Sequence, residues 1–159
     1  YGHEAPFAFE TMYRPMPGKI ERMRIGTPSI AAFSLLSAAL DVWDHVDLND
    51  VRAKSIELSE LFIREVAERC PALSLASPSD PTARGSHVSF HFEHGYPFMQ
   101  ALIEQNVIGD FREPDIMRFG ITPLYVGAAE IIKAVDIMEQ IFKDGSWRDE
   151  RFQNRSAVT

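Results

Sequence analysis

Apolar residues recur along this chain with two different periods, and the changes of period mark its elements. Val51, Ser55, Leu58, Phe62 and Val66 fall at helical spacing, with Arg52, Lys54, Glu57, Glu60, Arg64 and Glu65 mainly outside them. That spacing predicts a helix with one inward stripe. Asp47 and Asp50 suit its positive N-terminal end. It stops at Cys70-Pro71, because the residue before proline is pushed out of the helical region. Upstream, residues 30–43 are apolar on nearly every side: Ile30, Phe33, Leu35, Leu36, Leu40, Val42 and Trp43. A helix apolar all round is buried on more than one face. In so small a chain, the second face implies a partner subunit or a further domain. Thr27-Pro28 opens this helix, with threonine as its cap and proline in its first turn.

Beyond Pro71 the period shortens. Residues 72–76 read as a short strand, and residues 77–86, with Pro78, Pro81 and Gly85, read as a surface loop. His87-Val88-Ser89-Phe90-His91-Phe92 alternates, which predicts a half-buried strand with Val88, Phe90 and Phe92 inward. A short helix follows over 95–105, with Phe98, Met99, Leu102 and Ile103 inward. Residues 107–111 read as a strand, 112–115 as a turn and 116–121 as a further strand. A last helix over 127–143 places Ile131, Val135, Met138 and Phe142 in register, and Gly145 ends it. The order is two helices, two strands, a helix, two strands and a helix. It predicts an α+β fold, with helices on one face of a mostly antiparallel sheet of three or four strands. Residues 1–26 form an irregular segment that must lie on some other surface. Residues 27–145 form the small α+β domain with its long first helix, and residues 146–159 form a loose polar tail.

Composition narrows the functional classes. With 159 residues, 45% of them hydrophobic, the chain can fill one core. Its 16 basic and 23 acidic residues give a net charge of −7 with no basic block. That excludes nucleic acid and anionic membrane surfaces as partners. The most apolar run is interrupted by Ser34, Ser37 and Asp41 and is too short to span a bilayer. The single Cys70 fits a reducing compartment. The chain reads as soluble and cytoplasmic, and its start at Tyr1 without an initiator methionine reads as that of a fragment or processed product.

Candidate chemistry is sparse. His87 and His91 share a strand face but stand about 13 Å apart, too far to share one metal ion. His94 belongs to no metal-ligand motif. Cys70 lies at the wrong end of a helix for an activated thiol. Asp110, Glu113 and Asp115 surround a turn, where acids are commonly solvated. Nucleophile, dinucleotide and phosphate-loop motifs are absent. Two features remain. Arg118, between Met117 and Phe119, has no carboxylate beside it in sequence, so its fork is free for an anion; alternatively its stem packs on neighbours and its head meets solvent. Thr27 at a helix start suits a phosphate or, more simply, caps the helix.

Four stretches carry a family resemblance, in the right order. They are Gly2-His3-Glu4-Ala5-Pro6-Phe7-Ala8-Phe9, Arg24-Ile25-Gly26-Thr27-Pro28-Ser29-Ile30, Val51-Arg52-Ala53-Lys54-Ser55 and Arg118-Phe119-Gly120-Ile121-Thr122-Pro123-Leu124-Tyr125. Together they resemble the C-terminal part of the kynureninases. The resemblance implies the small domain of a fold-type-I enzyme that uses pyridoxal 5'-phosphate and works as a homodimer. It implies hydrolytic cleavage of the Cβ–Cγ bond of L-kynurenine to anthranilate and L-alanine, a step of tryptophan catabolism and NAD biosynthesis. Arg118 would bind the substrate carboxylate. Thr27 would approach the cofactor phosphate, from the neighbouring subunit. Many animal members carry asparagine there, so Thr27 bears on the choice between kynurenine and its 3-hydroxy relative. The Schiff-base lysine, the aspartate at the pyridinium nitrogen and an active-site tryptophan would lie upstream. By itself the chain would therefore hold half a site and be inactive. Two other readings share this plan: the small domain of a class-V aminotransferase or cysteine desulfurase, and a non-catalytic dimerisation domain.

Overall fold

Phe62, Phe90 and Phe119 meet edge to face, with ring centroids 5.3 to 6.3 Å apart, and the larger part of the chain is built outward from them. The computed structural model describes residues 2–5, 7–18, 20–23 and 26–154, with Glu21 as backbone only. Two compact units divide it, Tyr1–Val46 and Asp47–Thr159. The first helix thus belongs with the irregular segment and not with the α+β unit.

In the second unit α2, Leu48–Arg69, is capped by Asp47, whose side chain accepts from the Asn49 amide at 2.6 Å. Its buried stripe is Ser55, Leu58, Ser59, Phe62 and Val66. Four antiparallel strands follow: β1, Ser74–Leu75; β2, His87–His91; β3, Asp110–Arg112; and β4, Ile116–Gly120. They stand in the order β1-β2-β4-β3. Val88 pairs with Phe119 and Phe90 with Met117, and all four are buried on the face that receives Phe62. Helix α3, Gly95–Glu104, packs on β3 and β4, and α4, Ala128–Asp144, lies against α2 and α3. This is the α+β arrangement expected, with the sheet antiparallel throughout.

Several local expectations need correction. The strand placed over 107–111 is confined to Asp110–Arg112, because the Val107 amide donates back to the Leu102 carbonyl at 2.9 Å and closes the end of α3. Ala101 is buried where Ile103 was expected, and Ile103 is exposed. The loop at 77–86 is not merely surface. Arg84 is 5% exposed, donating to the carbonyls of Pro78 and Ser79 and pairing with Glu60. Arg52 on α2 donates to the Arg84 carbonyl at 2.9 Å, so two arginines tie the loop to the helix. The C-terminal stretch is not a loose tail. A 3-10 turn at Ser146–Arg148 and the short helix α5, Glu150–Gln153, bury Trp147 and Phe152. Two aromatics anchor an otherwise polar sequence, Trp147 stacking on the His94 ring at 4.8 Å. Residues 155–159 lie outside the described residues.

Within the first unit, His3 and Pro15 form an isolated antiparallel bridge, and the Tyr13 hydroxyl donates to the Gly2 carbonyl at 2.9 Å. Helix α1, Ile30–Leu40, is capped by Ser29, whose hydroxyl accepts from the Ala32 amide at 3.3 Å. Thr27 is therefore not the cap, and Pro28 precedes the helix. Serine takes the position because it sits three residues before an amide that needs an acceptor. No residue of α1 is buried. Arg24 and Ile25, part of the turn sequence noted above, lie outside the described residues. No helix among the described residues is long and apolar enough to cross a membrane.

Two predictions follow from this packing. Burial pushes the Cys70 thiol up to about 11, with Glu139 adding to the effect. A raised pKa means that the native state resists ionisation, so Cys70 stays unreactive toward a thiol-specific reagent at pH 8 until the protein unfolds. The same linkage makes stability fall as pH rises from the ordinary thiol value of 9.0 toward 11. Rapid native-state labelling would contradict this. Separately, a Cβ at Gly109 would stand 2.7 Å from the Arg118 carbonyl oxygen and 2.8 Å from the Met99 methyl, whereas one at Gly120 meets nothing within 4 Å. Gly109→Ala should cost about 1–3 kcal/mol by denaturant unfolding, and Gly120→Ala no more than about 0.5 kcal/mol.

Candidate functional site

Strand β4 alternates its side chains between two environments. Met117 and Phe119 enter the core, so Ile116, Arg118 and Gly120 take the opposite face of the sheet. Across the ladders Arg118 stands opposite Ser89 on β2 and Asp110 on β3. A shallow depression at this place is lined by His87, Ile108, Gly109, Asp110, Arg118 and Gly120.

The guanidinium is not free, which corrects the expectation drawn from the absence of an acid beside it in sequence. Its Nε donates to Asp110 Oδ1 at 2.7 Å and its Nη2 to Oδ2 at 2.6 Å, a bidentate pair. Arg112 reaches the same Oδ2 at 3.3 Å. The Arg118 hydrogen bonds hold the Asp110 carboxyl below the usual range, against the cost of partial burial and with help from Arg112. The pair's contribution is thus fully present above the ordinary aspartate value of about 3.9 and fades as pH falls through the lowered one. Asp110 raises the Arg118 guanidinium in turn. The Nη1 edge of Arg118 has no hydrogen-bond partner among the described residues. At 38% side-chain exposure, the arginine can still meet a ligand.

Sequence reasoning weighed Asp110 only as one of three acids at a turn. The hairpin was the missing signal, since strands folded back symmetrically about Pro114 put 110 opposite 118 and 112 opposite 116. His91 and Asp115 also approach each other on the exposed side, at 3.1 Å. Among the described residues no group of three or more His, Cys, Asp or Glu could hold a metal ion.

Thr27 lies in the first unit, exposed and two residues before the Ser29 cap. With Pro28, Ile30, Phe33, Ser34 and Ser37 it lines a cleft at the start of α1. Helix-start amides and hydroxyls are donors of the kind a phosphate accepts, although the Ala32 and Phe33 amides already donate to Ser29. Lys54 and Lys143 are ion-paired to Glu57 and Glu139, and Lys133 is exposed on α4. Lys19 lies outside the described residues.

The sequence profile of the kynureninase C-terminal domain matches residues 51–138, the span from α2 through most of α4. Kynureninase of Pseudomonas fluorescens is 44% identical over all of this chain, and that of Burkholderia mallei 42%. Burkholderia pseudomallei kynureninase is likewise 42% identical over the whole chain. In each case the chain spans 38% of the relative's length. A matched profile that covers both the sheet and the helices packed on it, with relatives similar from end to end of the chain, settles the kinship: the chain belongs to the kynureninase family, as the C-terminal part of such an enzyme.

Proposed function

We propose that this chain is the small domain of a pyridoxal-phosphate-dependent kynureninase that hydrolyses L-kynurenine to anthranilate and L-alanine. The observation that carries the reading is Arg118, a half-exposed guanidinium with one edge available, in a chain of this family. Arg118 would take the α-carboxylate of kynurenine on that edge and so fix the amino acid end of the substrate. Thr27 and the first amides of α1 would hold the cofactor phosphate; their hydroxyl and N–H donors fit that group. The chemistry supplied by the bound cofactor is an electron sink for the charge that develops next to the scissile bond.

The described lysines are ion-paired or exposed on helices, so on this reading the cofactor's anchoring lysine belongs to the large domain. The exposed apolar residues of α1, among them Ile30, Phe33, Leu35 and Leu36, support a covering polypeptide, in keeping with a homodimer. Residence in the cytoplasm completes the proposal.

The test is anthranilate fluorescence after L-kynurenine and pyridoxal phosphate are added to the full-length enzyme and to this chain alone. Signal is expected from the first and none from the second; silence in both would remove the assigned activity. In the full-length enzyme Arg118→Ala should weaken kynurenine binding by about 2–4 kcal/mol, roughly 30- to 1,000-fold in KM, and unchanged kinetics would sink the role given to this arginine. Thr27→Ala should be milder, raising the cofactor dissociation constant about fivefold for the loss of one hydroxyl contact. An unaltered constant would count against the phosphate contact.

A further inference from the structure

Asp110 faces Arg118 directly across the β3–β4 ladder, and the approach of the two strands is close. Gly109 makes it possible, since any side chain there would collide with the Arg118 carbonyl oxygen. The two hydrogen bonds from Nε and Nη2 to the two carboxylate oxygens fix the plane of the guanidinium as well as its place. An ion pair this exposed adds little to stability. What it does restrict is the arginine's freedom, since a long unpaired side chain keeps many rotamers that it must give up on binding. Charge points the same way. Arg112 shares Asp110 Oδ2, so two arginines and one aspartate leave a single positive charge, the complement of one carboxylate.

We propose that Asp110 is the positioning residue for Arg118: it grips the Nε–Nη2 side of the guanidinium so that the Nη1 edge meets the single carboxylate of an α-amino acid substrate. The inference rests on Arg118 being the carboxylate-binding residue. Binding then costs less ordering, because the fork is already oriented when the ligand arrives.

The experiment uses the full-length holoenzyme with Asp110→Asn, Asp110→Glu and Arg118→Ala. Two competitive ligands are compared, an aryl-ketone α-amino acid and the same compound without its carboxylate, alongside KM and kcat for L-kynurenine. Asp110→Asn is expected to raise KM and the inhibition constant of the carboxylate ligand about tenfold, while the decarboxylated ligand moves less than about twofold. Asp110→Glu, which keeps the charge, should recover part of the loss. If Asp110→Asn leaves both ligands unchanged while Arg118→Ala impairs the carboxylate ligand, the positioning role is overturned and the arginine's role stands. If Arg118→Ala also leaves that ligand unchanged, the functional reading of the arginine falls and this inference with it. An equal loss for both ligands would mean a general loss of structure and would likewise overturn the proposal.

Discussion

The register of β4 between β2 and β3 is the constraint on which the rest depends. Alternation along five residues sends Met117 and Phe119 into the core and Arg118 to the opposite face. A slip of one residue would exchange those environments, placing a guanidinium among Phe62 and Phe90 and two large apolar side chains on the open face. Burying an unpaired charge costs several kcal/mol, so the slipped register is excluded by a wide margin. The aromatic cluster that stabilises the unit therefore also aims the arginine. Core and site are two faces of one strand.

Electrostatics then refine what packing has placed. A guanidinium offers two edges, and one carboxylate cannot occupy both. With Asp110 on the Nε side, Arg118 retains donors for a second acid, and Arg112 keeps the local balance positive. The helix-to-helix contact relies on a similar device with a different purpose. Arg69 spans Asp136 and Glu139, both at 2.6 Å, and ties α2 to α4. There the arginine is used up by two acids; at Arg118 it is held by one.

Much of the fold was legible because its signals are local. The stripe of α2, the alternation of β2 and the left-handed Gly145 at the end of α4 each depend on a few neighbouring residues. Arg118 stood out for the same reason, as a lone charge inside an apolar strand. What escaped depends on partners far along the chain. Arg84 was hidden because its acceptors Ser59 and Glu60 lie on a helix some 24 residues away. Trp147 and Phe152 looked like parts of a polar tail until α3 supplied the surface that buries them. Thr27 was misread as a cap because Thr and Ser both suit the role, and only the backbone shows which one the helix uses. Asp110 was within reach of a hairpin argument, but its strand begins later than the apolar pattern suggests.

The uncovered helix α1 bears on how such a protein is made. Ile30, Phe33, Leu35, Leu36 and Leu40 are each more than half exposed in an eleven-residue helix with no charged side chain. A surface of that kind attracts any other apolar surface, including a copy of itself. During synthesis it needs its cover, which on the proposed reading is the large domain or a partner subunit, before it meets another apolar surface. Assembly with its proper cover is then a race against self-association, and the yield of folded protein should depend on chain concentration and on chaperones more than on the intrinsic stability of the α+β unit.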